Sequence, residues 1–167
     1  MTPPHAVQFY NDDVFLIDTV SAFITAGLKE NGAIIMIATA QHREELRNSL
    51  QAANNSSITY IDAVELLSAF MVDDWPNETR FTSTVGPLLQ RAALKGPVRI
   101  FGEMAAVLWT EGKTRAAIRL EELGNELAFQ HAFSLLCAYP TSGFPDQKNN
   151  LSFPQVCRAH THVHPAQ

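Results

Sequence analysis

A glutamate directly after a predicted buried strand is the first residue whose position in this sequence suggests chemistry. The run Val98–Gly102 is mostly apolar, and Glu103 follows it. Pro97 precedes the run and prevents a helix from continuing into it. Open α/β sheets bind their ligands at the carboxyl ends of the strands. Glu103 therefore lies where a ligand site is expected.

Other polar and aromatic residues are expected near the same edge of the sheet. Glu121 and Asn125 are four residues apart, so they share one face of a predicted helix. Small-molecule pockets are mostly apolar with a few converging polar groups. We predict such a pocket at the carboxyl ends of the first and fourth strands, with His5 at its mouth. The predicted ligand-binding residues are His5, Tyr10, Glu103, Trp109, Glu121 and Asn125.

Each candidate also has a purely structural interpretation. Glu103 fits a helix cap, or an ion pair with Arg99 or Arg119. Glu121 and Asn125 fit a solvated helix edge beside an apolar stripe. The aromatic candidates, Tyr10 and Trp109, fit core or rim packing better than ligand stacking. The sequence leaves both interpretations open.

The end of the sequence has donor atoms at spacings that occur in metal sites. Cys157 and His160 are three residues apart, and His162 and His164 follow. Closed zinc sites need four converging ligands, and this segment lacks a second paired motif. We therefore predict no metal, with Cys157 and His160 as weak candidates. Cys137, in a predicted strand, is expected to behave as a small hydrophobe.

The sequence does not favour phosphate binding or catalysis. Gly112-Lys113-Thr114 resembles the end of a P-loop, but that motif needs a glycine where Val107 stands. The expected phosphate position after the first strand holds Asn11-Asp12-Asp13, whose carboxylates would repel a triphosphate. No nucleophile elbow or zinc-protease helix occurs in the sequence. We expect a protein that is not an enzyme and has no cofactor.

The elements that must position these residues alternate between strand and helix. Such alternation predicts an α/β fold with three layers, in which a mainly parallel sheet has helices on both faces. The five predicted strands lie near residues 6–10, 33–38, 58–62, 98–102 and 133–138.

Composition narrows the class of protein. The 167 residues are 46% hydrophobic, which suits a single domain over residues 1–167 with a Pro- and His-containing tail at 141–167. The net charge is -5 and basic residues are scattered, so direct nucleic-acid binding is not expected. The longest apolar run, Ala33–Ala38, is too short to span a membrane. With no signal peptide and two cysteines that fit reduced thiols, we expect a cytoplasmic protein.

Short motifs in order along the chain resemble those of the MEDS family, the methanogen/methylotroph sensory domain. The resemblance implies a RecA- or KaiC-like fold without a P-loop, and a sensory role with small hydrocarbon derivatives as ligands. It also implies an output protein such as a kinase or a transcription regulator. The motifs are His5-Ala6-Val7-Gln8-Phe9-Tyr10, Thr39-x-x-His42-Arg43, Asp62-Ala63-x-x-Leu66-Leu67, Phe70-Met71-Val72-Asp73, Phe101-Gly102-Glu103-Met104, Leu108-Trp109-x-x-Gly112, Leu120-Glu121-x-Leu123-x-Asn125, Leu136-Cys137-Ala138-Tyr139-Pro140 and Cys157-x-x-His160.

Two positions depart from the pattern of the family. Asp74 stands where a glycine is common, and Gly124 stands where a tryptophan is frequent. The second change removes a large side chain beside Asn125. It is expected to enlarge or reshape any cavity that this helix borders.

Two classes of function follow from these observations. The preferred hypothesis is a stand-alone cytoplasmic signal-transduction module that binds a small, largely apolar molecule and signals to a separate partner protein. It needs neither a membrane nor nucleic acid, and it leaves a homodimer open. The alternative is a degenerate RecA-like nucleotide-binding protein, or an enzyme that uses Glu103 as a general base.

Overall fold

A computed structural model describes residues 4–50, 55–144 and 152–166 of the chain. Within those ranges, no helix is long and apolar enough to cross a membrane. The strands are β1 (His5–Tyr10), β2 (Ala33–Ala38), β3 (Ile58–Asp62), β4 (Met71–Val72), β5 (Trp75–Pro76), β6 (Val98–Gly102), β7 (Ser134–Pro140) and β8 (His162–His164). The helices are α1 (Asp13–Lys29), α2 (Ala40–Ser49), α3 (Ala63–Phe70), α4 (Glu78–Ala93), α5 (Met104–Thr110), α6 (Thr114–His131) and α7 (Ser152–Arg158).

Six strands form one parallel sheet, in the order β3-β2-β6-β7-β1-β8. The predicted α/β fold, with three layers and helices on both faces of a parallel sheet, is confirmed. The five predicted strands are all present, with bounds that differ by at most two residues. The sixth strand, β8, comes from the predicted tail and pairs with β1 at the edge of the sheet. Residues 145–151 and 167 of that tail lie outside the described residues.

The central strands are buried on both faces because their side chains alternate between two apolar cores. In β6, Ile100 belongs to the core under α3 to α6, whereas Phe101 belongs to the core under α1 and α2. All six residues of β2 are buried, as expected for a strand covered on both sides. The two layers of helices therefore cover two separate apolar cores, one on each face of the sheet.

The connections after β2 and β6 leave the sheet toward opposite faces. β2 leads into α2, whose Leu46 packs in one core. β6 leads into α5, whose Leu108 packs in the other core. β2 and β6 are neighbours, so their carboxyl ends flank a topological switch point, the usual place for ligands in open α/β sheets.

A small antiparallel hairpin follows α3. β4 and β5 pair through a two-residue turn at Asp73 and Asp74, whose φ angles are 50° and 61°. Turns of this kind require positive φ at both central residues, where glycine is unstrained. Glycine would therefore fit the position of Asp74 with less strain than aspartate does.

We predict that Gly96→Ala destabilises the fold by about 2 kcal/mol or more. Gly96 connects α4 to β6 with φ +149°, and a Cβ there would lie 2.2 Å from the carbonyl oxygen of Asn31. Urea unfolding would measure the loss. Gly86→Ala is the matched control, since nothing lies within 4 Å of a Cβ at that helical glycine. The control should be neutral or stabilise the protein by up to about 1 kcal/mol, and equal losses in both variants would contradict the prediction.

Candidate functional site

An apolar pocket lies between the sheet and helices α4, α5 and α6. Its cavity volume is about 60 Å³, and the surrounding space without protein atoms, which includes open solvent, is about 500 Å³. Glu121 and Cys137 are the two residues of its lining that carry an ionisable side chain, and the remainder is apolar or glycine. The lining residues are Ile37, Phe81, Val85, Ile100, Gly102, Met104, Ala105, Leu120, Glu121, Gly124, Leu127, Phe133, Leu135 and Cys137. This composition is typical of a site for a small molecule.

A buried polar cluster lies at one side of this pocket. We call it the Glu121 cluster, and its members are His5, Glu121, Cys137, Tyr139 and His160. Oε2 of Glu121 lies 3.0 Å from Nε2 of His5 and 3.1 Å from Nε2 of His160. The Tyr139 hydroxyl donates a hydrogen bond of 2.7 Å to Oε1, and the Cys137 thiol donates one of 3.5 Å to Oε2. The side chain of Glu121 is only 2% exposed.

The members of this cluster come from four parts of the chain. His5 begins β1, and Cys137 lies in β7, the strand paired with β1 in parallel register. Glu121 lies on α6, which packs over these strands, and His160 follows α7. The cluster therefore joins the first described strand to the segment that precedes β8.

Further hydrogen bonds fix the orientation of both imidazoles. Nδ1 of His5 donates to Oδ1 of Asn125 at 2.7 Å, and Asn125 donates from Nδ2 to the Ala159 carbonyl at 2.7 Å. Nδ1 of His160 donates to the carbonyl of Val156 at 2.6 Å. In both rings Nε2 consequently points toward Glu121.

Burial and charge shift the ionisation of this cluster strongly. Burial alone would raise the pKa of Glu121, but the imidazoles of His160 and His5 outweigh it and hold that pKa well below its usual range. Burial lowers the pKa of His160, yet the Glu121 carboxylate prevails and the net shift is upward. Burial, followed by the charge of Glu121, raises the pKa of the Cys137 thiol and of the Tyr139 hydroxyl. Glu121 is thus the anion around which the other groups are arranged.

A second polar cluster lies at the switch point between β2 and β6. We call it the Glu103 cluster, and its members are Tyr10, Asp13, Thr39, His42 and Glu103. The backbone N–H of Thr39 donates to Oε2 of Glu103 at 2.8 Å, and Nδ1 of His42 donates to Oε1 at 2.6 Å. Nε2 of His42 lies 3.1 Å from Oδ1 of Asp13. Both carboxylate oxygens of Glu103 are therefore engaged within the protein.

The imidazole of His42 carries the positive charge of this second cluster. The hydrogen bond that His42 donates to Glu103 is the largest influence and outweighs the effect of burial, so the pKa of His42 is raised to about 9. The ring of Tyr10 meets that of His42 edge-on, with centroids 6.3 Å apart. Burial, together with the charges of Glu103 and Asp13, raises the pKa of Tyr10. At neutral pH the crevice at the switch point is filled by this charged histidine.

Trp109 belongs to an aromatic group and not to either polar cluster. Its ring lies 4.6 Å from that of Phe144 and 5.8 Å from that of Tyr139. Its Nε1 donates a hydrogen bond of 2.9 Å to the carbonyl of Gly143. The side chain packs the segment after β7 against α5.

The structure does not place the six predicted ligand-binding residues around one cavity. His5, Glu121 and Asn125 meet at the Glu121 cluster. Tyr10 and Glu103 meet at the Glu103 cluster, and Trp109 joins neither. All six lie in the described part of the chain, and Glu121 alone among them lines the apolar pocket.

The observed contacts decide between the purely structural interpretations of these residues. Glu103 occupies the first position before α5, but its side chain makes no capping hydrogen bond. Arg99 pairs with Glu30, and Arg119 pairs with Glu78, Glu122 and Glu126, so neither arginine is the partner of Glu103. The interpretation of Glu121 as a solvated helix edge is wrong, because the residue is buried. Of the weak metal candidates, His160 enters the Glu121 cluster, whereas Cys157 is half-buried outside it.

Sequence reasoning missed four residues that shape these clusters. In the sequence analysis, Asp13 appears only as an acid that would repel phosphate, and His42 appears only within a motif. Cys137 is expected to behave as a small hydrophobe, and Tyr139 appears only within a motif. Their spacing of two within β7 puts both on one face of the sheet, which is the signal that could have joined them to Glu121.

Comparison with known proteins identifies one family. The family model described as "MEDS: MEthanogen/methylotroph, DcmR Sensory domain" matches residues 4–161. This range contains the apolar pocket and every member of both polar clusters. No curated protein matches the chain.

We predict that the Glu103 cluster stabilises the protein below neutral pH and loses this effect in alkaline solution. His42 has a raised pKa of about 9 in the folded state, against 6.5 in the unfolded state. Its contribution is therefore complete below pH 6.5 and lost as the pH rises through 9. The full effect is at most about 3 kcal/mol.

The measurement is urea unfolding of wild type and Glu103→Gln across that pH range. The difference in unfolding free energy between the two proteins should shrink as the pH rises. His164→Gln, which changes an exposed histidine on β8, is the control and should show no such trend. A difference that stays constant with pH would contradict the assignment.

Trp109→Ala should lower the free energy of unfolding by about 3–5 kcal/mol, because it deletes a packed aromatic side chain. Trp109 is 6% exposed, whereas Trp75 is 46% exposed. Trp75→Ala is therefore the control, with an expected cost below about 1 kcal/mol. Chemical denaturation of the two variants compares them, and similar costs would argue against a packing role for Trp109.

Proposed function

The chain belongs to the MEDS family of sensory domains, and from this premise we propose that it binds a small, largely apolar molecule and signals to a separate protein. The observation that carries the proposal is the apolar pocket under α4, α5 and α6. Its walls offer dispersion contacts and little hydrogen bonding. A neutral hydrocarbon derivative with at most one or two polar atoms suits such a lining.

Gly124 supports the apolar pocket as the place where the ligand binds. It borders the pocket on α6, and a Cβ at this position would meet Cδ2 of Leu135 at 3.4 Å. There is room for a methyl group, whereas a larger side chain would have to enter the pocket. In relatives with a tryptophan at this position, the ring would occupy space that is open in this chain. We infer that Gly124 sets the ligand size for this protein.

We propose that the signal leaves the pocket through Glu121 and Cys137. Both residues line the pocket and contact His5 of β1. β1 carries β8 on its outer side, so a shift of Glu121 bears directly on the edge of the sheet. A separate output protein, such as a kinase or a transcription regulator, would read that edge. Binding as a homodimer is compatible with the same surface.

The proposed role is binding and not catalysis. Glu103 is the candidate for a general base in the alternative function, and both of its oxygens already accept hydrogen bonds from Thr39 and His42. A substrate would have to displace one of these donors. The carboxylates of Asp12 and Asp13 stand at the start of α1, where a nucleotide-binding relative would hold phosphate. These features favour a sensory module over an enzyme or a nucleotide-binding protein.

Three further proposals complete this picture. The likeness to RecA- or KaiC-like proteins is one of fold, with acids in the place of the phosphate cradle. The protein acts in the cytoplasm without a membrane. Its net charge of -5 and scattered basic residues favour a protein partner over nucleic acid.

We predict that Gly124→Phe abolishes binding of small apolar probes, because the new ring fills the pocket. Benzene and 1-butanol serve as neutral probes, and butyrate serves as a charged one. NMR titration of the wild type should give saturable shifts for backbone amides of Gly102, Ala105 and Leu120, which line the pocket. The neutral probes should bind, and butyrate should not, because the apolar lining cannot replace the hydration of its carboxylate.

Gly124→Ala is the matched control and should retain binding of both neutral probes. Thermal unfolding of each variant verifies that the fold is intact. Absence of saturable shifts in the wild type with benzene and 1-butanol would overturn the apolar-ligand proposal. Undiminished binding by folded Gly124→Phe would place the ligand elsewhere.

A further inference from the structure

Four side chains of the Glu121 cluster bring metal-binding atoms to a common centre. They are Nε2 of His5, Oε2 of Glu121, Sγ of Cys137 and Nε2 of His160, and they all lie within 4.8 Å of one another. All four residues are buried. They come from β1, α6, β7 and the segment after α7, so their convergence is a product of the tertiary fold.

The separations fit the edges of one coordination shell. Bonds of zinc to nitrogen, oxygen and sulfur are about 2.0–2.3 Å long, so ligand atoms around one tetrahedral ion lie about 3.3–3.8 Å apart. The observed separations from Glu121 are 3.0 Å to His5, 3.1 Å to His160 and 3.5 Å to Cys137. His5 and Cys137 are 3.3 Å apart. These four separations need to change by only a few tenths of an ångström to surround an ion, and every separation among the four atoms lies within 4.8 Å.

Hydrogen bonds leave the right atoms free to bind an ion. Nδ1 of His5 donates to Asn125, whose amide orientation is fixed by its own bond to Ala159. Nδ1 of His160 donates to the Val156 carbonyl. In the neutral rings, each Nε2 therefore presents a lone pair to the carboxylate. Lone pairs that face one another in a buried site require a proton or a cation between them.

The ring of His160 gives a further geometric observation. Its Nε2 is buried and makes no hydrogen bond within the described part of the chain. Oε2 of Glu121 is only 3.1 Å away, yet the two atoms are not aligned as donor and acceptor. A metal ion between them needs lone pairs that point to a shared centre, and alignment of an N–H with the oxygen is not required.

We propose that His5, Glu121, Cys137 and His160 bind a single first-row divalent metal ion, for which Zn²⁺ is the best match. Two imidazoles, a thiolate and a carboxylate form a nitrogen, sulfur and oxygen set that suits zinc. Mg²⁺ and Ca²⁺ prefer shells of oxygen. The ion supplies the positive charge that a buried carboxylate and thiolate together require. Binding releases the Cys137 proton to solvent, because the thiolate is the ligand.

The residues around these four ligands make the hydrogen bonds that usually hold metal-binding side chains in position. Metal-bound histidines usually donate their other N–H to a carbonyl or amide oxygen, and metal-bound carboxylates are hydrogen-bonded in turn. Asn125 and the Val156 carbonyl perform the first task, and the Tyr139 hydroxyl performs the second. Asn125 is therefore a positioning residue for His5.

This site differs from the weak metal candidate that the sequence suggested. Cys157 and His160 were considered together because they are three residues apart. In the structure His160 joins three distant ligands, and the other cysteine, Cys137, completes the set. The two cysteines consequently offer a matched pair of variants, one inside the proposed site and one outside it.

The first test is metal content of the purified wild type, with any histidine tag removed. Cells are grown with added zinc, the protein is desalted, and zinc is measured by elemental analysis. We expect one ion per chain. The protein is then stripped with a strong chelator under reducing conditions and titrated with Co²⁺. A tetrahedral site with one thiolate should give intense visible bands and a sulfur-to-cobalt charge-transfer band that saturates at one equivalent.

The second test locates the site. Cys137→Ser should lose the sulfur-to-cobalt band, His160→Gln should lose stoichiometric zinc, and Cys157→Ser should retain both properties. Addition of Zn²⁺ to the stripped wild type should raise its melting temperature. The test does not involve a pocket ligand, so its outcome is separate from that of the proposed function.

Two results would overturn the inference. Substoichiometric zinc in the wild type, with no cobalt spectrum and no rise in melting temperature, would show that protons alone hold the cluster together. Stoichiometric zinc that is lost in Cys157→Ser and kept in Cys137→Ser would place the ion in the tail. If a cluster variant fails to fold, the wild-type measurements still decide the question.

Discussion

The burial of one carboxylate, that of Glu121, constrains much of this structure. A charge removed from water must be compensated by opposite charge and hydrogen bonds, since an unpaired buried ion costs several kcal/mol. Here the compensating groups are His5, Cys137, Tyr139 and His160. They come from two strands and from the segment after α7, so the requirement to satisfy one side chain fixes three distant parts of the chain. The position of β8 follows from this arrangement. Thr161, the residue after His160, donates its N–H to the carbonyl of His5, and β8 begins at the next residue.

The two polar clusters explain why the apolar pocket lies beside the switch point and not within it. The carboxyl ends of β2 and β6 form the crevice that open α/β sheets normally use for ligands. In this chain Glu103 binds the Thr39 N–H and the His42 ring, and that ring also approaches Asp13. The crevice is filled by an internal ion pair. Space instead remains on the α4 to α6 face, where Gly102 and Gly124 lack side chains and Glu121 supplies a polar wall.

The fold was predictable to a greater extent than the site, for a physical reason. Strands such as Ala33–Ala38 are recognisable because burial on both faces demands a continuous apolar run, and that signal is local. β8 gave no such signal: it has three residues, two of them histidine, and depends on the long-range contact between His5 and Thr161. The sequence offers polar and aromatic candidates for a site, but their grouping depends on which helix packs over which strand. A spacing of four predicts that Glu121 and Asn125 lie together on one helix. No local pattern could show that the ring of His5 contacts Asn125 on one side and Cys137 on the other.

Glu121 and Cys137 belong both to the pocket lining and to the buried cluster, which gives the proposed sensory function a physical route. A ligand shifts a conformational equilibrium only as far as it interacts differently with the two states. An occupant of the pocket contacts the same carboxylate that holds His5 and His160, so any displacement of Glu121 changes the compensation of a buried charge. Interactions in such a buried, low-dielectric cluster are strong and coupled. In the proposed function, a small apolar molecule would act on the β1–β8 edge through this buried carboxylate, to the extent that it binds the two positions of Glu121 with different affinity.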